Sequence, residues 1–168
     1  ETEKAQLIWK FVESGTDNKL GGGIYWCEQK RQSKNTCSNA PGSVFALRLF
    51  QATQDSTYFV KAKHLYEWTQ THLQDSTDYL YFDNIDLGEK VNKAKFAYNS
   101  GHIWFTAVML RGFIELYQVD KNKVYLNAFN QSLDYAWTHA RDEKGLFNTD
   151  FSGNTRAVSY THLRAHET

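Results

Sequence analysis

The stretch SVFALRLFQATQDSTYFVKAKHLYEWTQTHL, residues 43–73, predicts two helices joined by a short turn. Its first part is apolar on most sides, which is typical of a helix enclosed by others. Its second part places apolar residues at helical spacing with charged residues between them, which predicts an outer helix with one exposed face. The turn QDST is short enough to make the two helices antiparallel neighbours. The core positions predicted for the outer helix are Phe59, Ala62, Leu65, Tyr66, Trp68 and Leu73.

The same hairpin design recurs on both sides of this stretch. EKAQLIWKFVESG and VYLNAFNQSLDYAWTHA predict two more outer helices, and IWFTAVMLRGFIELY predicts a second enclosed helix. The outer helices that begin at Tyr58 and Tyr125 start and end alike, which indicates a repeat of helical hairpins. We therefore expect minimal strand content and no sheet of three or more strands. The core positions predicted for the flanking outer helices are Ile8, Phe11, Val12, Leu126, Phe129, Leu133, Ala136, Trp137 and Ala140.

Three loops rich in glycine and aromatic residues occupy equivalent places in this pattern. GGGIYW, DYLYFDNID and GLFNTDFSG each follow an outer helix. Each should also precede an inner helix, so the three loops are predicted to emerge on one face of the molecule. Binding residues concentrate on loops that a rigid scaffold holds, so this face is the predicted functional surface.

Composition narrows the class of partner. The 168 residues are 41% apolar and 23% charged, which is enough for one globular domain with a core. Nineteen basic and nineteen acidic side chains leave no net field to attract nucleic acid or an anionic membrane, and no apolar run is long enough to span a bilayer. Five Trp, ten Tyr and eleven Phe suit a ligand with flat, hydroxylated faces such as a sugar, although a Tyr-rich helical core is an equal alternative.

Four ordered motifs carry a family resemblance. GGGIYW, KNTCSNAPG, LYFDNID and FAYNSG together resemble glycoside hydrolase family 76, the endo-acting α-1,6-mannanases. The resemblance implies an all-α fold, a barrel or toroid of six helical hairpins whose inner helices line a cleft and whose loops hold an α-mannan chain. Residues 1–157 would then form about two and a half hairpins of this (α/α) barrel, arranged as an open arc. The resemblance also implies a secreted, periplasmic or cell-surface protein, and no cofactor.

The carboxyl groups needed for catalysis are the feature in which the sequence departs from this family. Retaining hydrolysis of a glycosidic bond needs two carboxyls, which the resemblance implies to be adjacent Asp residues. No Asp-Asp pair occurs in the chain, so we expect the pair upstream of Glu1 and assign no catalytic residue here. Asp83 and Asp86 are the nearest substitutes, and for Asp83 we favour binding of sugar hydroxyls. The alternative to an enzyme fragment is a non-catalytic helical-repeat module that binds carbohydrate or protein.

The candidate binding residues lie in the loops that carry the motifs. Glycines let the GGGIYW backbone turn tightly at the predicted cleft floor. Tyr25 and Trp26 offer faces for stacking on a sugar, and the alternative is that they seal the core beneath the loop. Lys34 and Asn35 are placed to reach sugar hydroxyls, or belong to a solvated loop. The predicted substrate-binding residues are Tyr25, Trp26, Lys34, Asn35, Asp83, Tyr98 and Asn99.

Two cysteines and the start of the first inner helix complete the loop region. Cys27 and Cys37 flank a cationic run, and both a disulfide and two free thiols stay open. A zinc site lacks further ligands, so no metal is expected. Asn39 is predicted to cap the inner helix, with Pro41 in its first turn.

The end of the chain is predicted to have a different origin from the rest. VSYTHLRAHET, residues 158–168, resembles the translation of a transposase-type sequencing adapter, which predicts a non-native tail. The i, i+4 spacing of His162 and His166 matches a metal-binding pattern, but in such a tail the spacing is an accident.

An internal join is a further expectation. The segment from Trp104 to Tyr125 is already about as long as one inner helix plus its turn, the segment from Ser38 to Tyr58. The motif FAYNSG is therefore an extra helix start, which suggests that a hairpin has been lost near 101–103. The mark of such a join would be one unbroken helix from Tyr98 to Tyr117. An open arc should also leave inner-helix side chains without partners, with association of the isolated chain as the result. The side chains expected to be exposed are Phe45, Leu49, Phe105 and Met109.

Overall fold

The chain folds into helical hairpins with a small sheet between their loops. The computed structural model describes residues 1–96 and 103–147, with backbone alone over 103–109. In these ranges the helices are α1 (Thr2–Ser14), α2 (Thr36–Thr53), α3 (Ser56–Leu73), α4 (Ile103–Asp120) and α5 (Val124–His139). The strands are β1 (Ser33–Asn35), β2 (Asn84–Asp86) and β3 (Val91–Asn92).

Two tight turns define the hairpins, as the sequence predicts. Between α2 and α3 the backbone of Gln54 is left-handed, with φ of 59°, and the Asp55 side chain caps α3 by accepting a hydrogen bond from the Thr57 amide at 2.9 Å. Between α4 and α5 the left-handed residue is Lys121, with φ of 58°. Helix α2 packs against α1, α3 and α4, so it is the enclosed element.

The main core lies where these helices meet. On α3, the predicted positions Ala62, Leu65, Tyr66, Trp68 and Leu73 are buried, and Phe59 is partly buried against the same core. Aromatic rings meet edge to face there, with the Tyr66 ring centre 5.1 Å from that of Phe113 and 4.8 Å from that of Tyr125. The period-based prediction for α3 is therefore confirmed.

The predicted faces of the two flanking outer helices were partly wrong. On α1 the buried side chain is Trp9, whose ring packs edge to face against Phe45 at 5.7 Å, whereas Ile8 and Phe11 are mostly exposed. Burying the larger ring turns the neighbouring positions towards solvent because successive residues point about 100° apart around a helix. On α5, Leu133 and Trp137 are likewise exposed, and the buried set is Tyr125, Ala128, Phe129, Ser132, Ala136 and Ala140.

The expectation of no three-stranded sheet was wrong. Strand β2 lies between β1 and β3 in an antiparallel sheet, with Ser33 opposite Asp86 and Asn84 opposite Asn92. Each strand has only two or three residues, too few to show a period of two in the sequence. The sheet joins the connecting loops and leaves the helical hairpins as the main architecture.

Exposure of the inner helices also differs from expectation. Leu49 is 2% exposed and Phe45 is partly buried against the core, while the side chains of Phe105 and Met109 lie outside the described residues. Large exposed apolar side chains lie on outer helices, for example Leu7 on α1, and also on α4, where Ile114 and Val119 are exposed. The difference arises because α1 and α3 flank α2 and cover its apolar positions.

Two expectations concern regions that the structure describes partly or not at all. Helix α4 is described from Ile103, so the unbroken helix from Tyr98 that would mark an internal join near 101–103 stays a prediction. The adapter-like tail, residues 158–168, lies outside the described residues. Among the described residues, no helix combines the length and apolar character needed to cross a bilayer.

Candidate functional site

Two connecting loops come together at the start of α2. We call residues 15–35 the glycine loop and residues 74–92 the FDNID loop. Strand β1 of the first pairs with β2 of the second, and the Thr36 amide donates to the Asp83 carbonyl oxygen at 3.0 Å. The Thr36 hydroxyl also donates to the Phe82 carbonyl oxygen at 2.6 Å. The predicted common face is confirmed for these two loops, and the third, GLFNTDFSG, lies mostly outside the described residues.

The glycine loop turns tightly against α3. Leu20, Gly21, Gly22 and Gly23 all have positive φ, from 55° to 125°. A Cβ on Gly23 would lie 2.7 Å from the ring of Trp68, so the absence of a side chain is required there. The Trp68 indole N–H also donates to the Leu20 carbonyl oxygen at 2.7 Å. The glycines therefore allow close approach to an outer helix as well as the turn itself.

Lys34 is buried within the glycine loop, contrary to the prediction that it reaches sugar hydroxyls. Its side chain is 0% exposed, and its Nζ donates to Asp17 Oδ1 at 2.8 Å, to the Lys19 carbonyl oxygen at 2.8 Å and to the Gly22 carbonyl oxygen at 2.5 Å. An ammonium has three N–H donors, so none remains for a ligand. Burial tends to raise the pKa of Asp17, but hydrogen bonds from Lys34 and Tyr25 outweigh this and hold it below the usual value.

The two aromatic residues of GGGIYW have different environments. Tyr25 is 5% exposed, and its hydroxyl donates to Asp17 Oδ2 at 2.8 Å. Burial and this hydrogen bond raise the pKa of Tyr25. Tyr25 thus seals the core beneath the loop, the alternative to stacking. Trp26 is 62% exposed and borders a cavity of about 240 Å³ that Phe11 and Ser38 also line.

Asn35 and Asn39 act on backbone geometry and not as the predicted ligand contact and cap. Asn35 is buried and accepts a hydrogen bond from the Ser33 hydroxyl at 2.9 Å. Asn39 is fully buried and clamps Ile24, accepting from its amide at 2.6 Å and donating to its carbonyl oxygen at 3.0 Å. Because α2 begins at Thr36, Asn39 ends its first turn and Pro41 lies in its second, so the cap prediction was wrong.

Asp83 and Asp86 have separate roles in the FDNID loop. Asp83 is partly buried and accepts hydrogen bonds from the Asn84 and Asn92 side-chain amides at 2.8 and 3.3 Å. Asp86 accepts from the backbone amides of Gly88 and Lys90 at 2.8 and 3.0 Å, which closes the turn between β2 and β3.

Asp83 lies beside the first turn of α2. The hydrogen bond from the Thr36 amide holds the Asp83 carbonyl oxygen at the start of that helix. Burial raises the pKa of the Cys37 thiol, and the negative charge of Asp83 raises it further. The next residue, Ser38, lines the cavity beside Trp26. Trp26 and Asp83 therefore belong to two chain segments that meet at the first turn of α2. Tyr98 and Asn99, the other predicted binding residues, lie outside the described residues.

The remaining chemistry-bearing groups near the loops are few. Cys27 and Cys37 are free thiols, so the disulfide alternative is not realised in this structure. Over residues 1–96 and 110–147, whose side chains are described, no group of three or more His, Cys, Asp or Glu side chains is placed to hold a metal ion. A second cavity of about 420 Å³ lies under the glycines between α1 and α3, lined in part by Glu13, Lys61 and His64.

Comparison with known proteins identifies the family. The sequence model of Glycosyl hydrolase family 76 matches residues 2–163. The chain belongs to this family. Among curated relatives it is 29% identical over 135 residues to the mannan endo-1,6-alpha-mannosidase DCW1 of Candida glabrata, an alignment that covers 68% of this chain and 29% of the relative.

Solved structures of the family share the fold. The family 76 α-mannanase of Bacteroides thetaiotaomicron is 32% identical with a TM-score of 0.73, and the match covers 87% of this chain and 40% of that protein. A second match is an inactive variant of an α-1,6-mannanase from a Salegentibacter species, in which two consecutive Asp residues are replaced by Ala and α-1,6-mannotetrose is bound. It is 29% identical with a TM-score of 0.76, and the match covers 87% of this chain and 43% of that protein. The prediction of a partial (α/α) barrel is confirmed, and the chain spans less than half the length of these relatives.

Proposed function

We propose that this chain is part of a retaining α-1,6-mannanase and contributes loops that bind the mannan chain. The observation that carries the proposal is the membership of family 76 combined with the absence of an Asp-Asp pair from the sequence. The related α-1,6-mannanase is described as inactive when two consecutive Asp residues are replaced. We therefore place the nucleophile and the general acid in a segment of the protein outside this sequence, upstream of Glu1.

The proposed sugar contacts are Trp26 and Asp83, with Tyr98 and Asn99 retained from the sequence motif. An exposed indole offers an apolar face to a pyranose, and a carboxylate accepts hydrogen bonds from its hydroxyls. The two loops that carry Trp26 and Asp83 meet at the first turn of α2, and this supports the pairing. We assign a structural role within the glycine loop to the three remaining residues, because each of them is buried: Tyr25, Lys34 and Asn35.

The ligand we propose is α-mannan or a manno-oligosaccharide, bound outside the cytoplasm by a secreted, periplasmic or cell-surface protein. Two inactive variants of one relative, the Salegentibacter α-1,6-mannanase, are described as complexes with α-1,6-mannotriose and α-1,6-mannotetrose, which supports the ligand class. The balanced charge of 19 basic and 19 acidic residues argues against nucleic acid as a partner. With few subsites present, we expect an affinity of about millimolar or weaker.

The test is an assay of reducing-end release from α-1,6-mannan. The chain as given is compared with a version extended upstream by the segment that carries an adjacent Asp pair. We expect release from the extended version alone. Comparable turnover by the chain as given would place catalysis among the residues present, with Asp83 and Asp86 as the first candidates, and would overturn the proposal.

The alternative function is a helical-repeat module that binds carbohydrate or protein without chemistry, and the missing Asp pair favours it. Binding of mannotriose without release by the extended version would support this alternative.

The proposed domain ends at residue 157 and is followed by the adapter-derived tail, residues 158–168. The family match runs on to residue 163, which argues for a later boundary. Synonymous codons that differ from the adapter sequence would contradict the proposed tail.

A further inference from the structure

The buried ammonium of Lys34 controls the path of the glycine loop. Its three hydrogen bonds join Asp17, which follows α1, to two carbonyl oxygens, that of Lys19 just before the segment of positive φ and that of Gly22 within it. A backbone with several positive φ angles in succession has many alternative conformations open to it, particularly where the residues are glycines. The ammonium selects one of them by attracting both carbonyl oxygens to a single point.

The backbone of Lys34 connects the glycine loop to the segments that carry both candidate sugar contacts, Trp26 and Asp83. On one edge, Lys34 pairs with Tyr25, and the neighbouring Trp26 amide donates to the Ser33 carbonyl oxygen at 3.1 Å. On the other edge, Lys34 lies opposite Ile85, two residues after Asp83. One residue therefore fixes the glycines through its side chain, and fixes Trp26 and the FDNID loop through its backbone.

We propose that Lys34 is a positioning residue for saccharide recognition. Its side chain does not touch the sugar. It holds the exposed ring of Trp26 at a set position relative to Asp83, so that one saccharide contacts both. The inference rests on the proposed function, because the relative position of these groups matters only if a saccharide binds there.

The location of Lys34 separates this role from general stability. The main helical core is built from side chains of α1 to α5, such as Leu47, Tyr66 and Phe113, together with Ile24 of the glycine loop, and does not include Lys34. Loss of the ammonium should therefore loosen the glycine loop while the helices keep their packing. A residue that merely stabilised the whole fold would loosen both together.

The experiment compares Lys34→Met with Arg48→Met in the full chain. Met keeps the length of the lysine stem and removes the charge and the three donors. Arg48 is a matched control because its guanidinium also pairs with a carboxylate, Glu115 Oε1 at 2.5 Å, but joins α2 to α4 without touching either loop. The readouts are amide hydrogen exchange, affinity for α-1,6-mannotriose, and the mannotriose-induced change in Trp26 emission, measured as the difference from the matching Trp26→Phe chain.

For Lys34→Met we expect at least a tenfold loss of exchange protection at Ile24, Tyr25 and Trp26, with α2 and α3 unchanged. Mannotriose affinity should fall at least tenfold, and the Trp26 signal should disappear. Arg48→Met should change the loop protection and the affinity by less than twofold.

Two results would overturn the inference. Unchanged loop protection and affinity in Lys34→Met would show that the ammonium does not set the loop. Loss of protection that extends through α2 and α3 would make Lys34 a determinant of the whole fold. If the unmodified chain gives no Trp26 response to mannotriose, the proposed function fails, and exchange at residues 24–26 still decides whether Lys34 orders the loop.

Discussion

The glycine loop and the FDNID loop each follow an outer helix, and each contains an aspartate that pairs with a lysine, but the two lysines have different roles. Lys34 is fully buried, pairs with one carboxylate and spends its other two donors on backbone carbonyl oxygens. Lys95 is 12% exposed and pairs with two carboxylates, Asp75 at 2.5 Å and Asp78 at 2.6 Å. The first lysine shapes its loop, whereas the second ties the chain beyond β3 to the end of α3.

The two loops owe their order to different kinds of interaction. The glycine loop depends on close packing and on buried hydrogen bonds to backbone, which are costly to lose. The FDNID loop depends on exposed turns and on charge, which solvent and pH modulate. Matched substitutions in the two loops should therefore have unequal effects on the free energy of unfolding.

The largest effect is expected at the glycines. Gly23→Ala puts a Cβ within 2.7 Å of the Trp68 ring at a backbone with φ of 83°. Left-handed strain and overpacking together should lower the free energy of unfolding by about 3 kcal/mol. Gly88→Ala in the FDNID loop meets only the Asp86 carboxylate oxygen, at 3.3 Å, and should cost about 0.5 kcal/mol or less.

Urea denaturation of the two glycine variants, at constant m-value, measures the difference. Equal losses of unfolding free energy in Gly23→Ala and Gly88→Ala would mean that close packing against α3 does not constrain the glycine loop.

Next in size is the loss of the Asn39 clamp. Asn39→Ala removes three hydrogen bonds and leaves the buried amide and carbonyl of Ile24 without partners, so we expect a loss of about 2 kcal/mol. Asp86→Ala removes two hydrogen bonds from an exposed turn whose amides water can satisfy, so we expect a loss of about 1 kcal/mol.

Thermal and urea unfolding of both variants measures the two losses of unfolding free energy and tests whether that of Asn39→Ala is the larger. A cost for Asp86→Ala that matched or exceeded that for Asn39→Ala would contradict the contrast between a buried and an exposed clamp.

These residues show how far the sequence predicts the structure. The period of residues 56–73 identifies α3 and its buried face because local spacing decides both. On α1, apolar residues spread over a wide sector of the helix, and the tertiary packing of Trp9 against Phe45 decides which of them are buried. Local pattern therefore predicted the helix but not its face.

The candidate site depends even more on contacts between distant residues. Lysine is almost never fully buried without a partner, so a solvated position is the default expectation for Lys34. Its enclosure by Asp17 and two carbonyl oxygens depends on residues that are distant in the sequence, and no local pattern predicts it. Tyr25 and Trp26 are adjacent and chemically similar, and pairing of Lys34 with Tyr25 determines that only Trp26 is exposed. The motif located the loop, but the side chain available to a sugar followed from its tertiary contacts.

A pH effect of intermediate size is expected from the FDNID loop. Burial opposes ionisation of Asp75, but hydrogen bonds from Lys95 and Thr77 outweigh it and lower the pKa of Asp75 to about 2. A carboxyl with a depressed pKa stabilises the fold above its unfolded pKa, and this contribution is lost as pH falls through the folded value. We expect acidification from pH 4 to pH 2 to remove about 1 to 2 kcal/mol through this group.

Lys95→Met should flatten that part of the stability profile, because the cation that depresses the pKa is gone. Urea melts between pH 2 and pH 5 for the unmodified chain and for Lys95→Met provide the measurement. An identical decline in both would assign the acid sensitivity to other carboxyls.

The smallest effect on stability, and the most specific effect on binding, is expected at Trp26. Its side chain is 62% exposed, so Trp26→Ala should change the free energy of unfolding by less than about 0.5 kcal/mol. If a mannose ring stacks on the indole, the same change should weaken mannotriose binding about tenfold, corresponding to about 1.4 kcal/mol.

Trp137 on α5 is a matched control at 61% exposure. The Arg141 guanidinium already covers one face of that ring, 3.8 Å from its centre, so Trp137→Ala should leave affinity unchanged. Calorimetric titration of both variants with α-1,6-mannotriose decides between them, since equal losses, or none at Trp26, would place the saccharide away from the glycine loop.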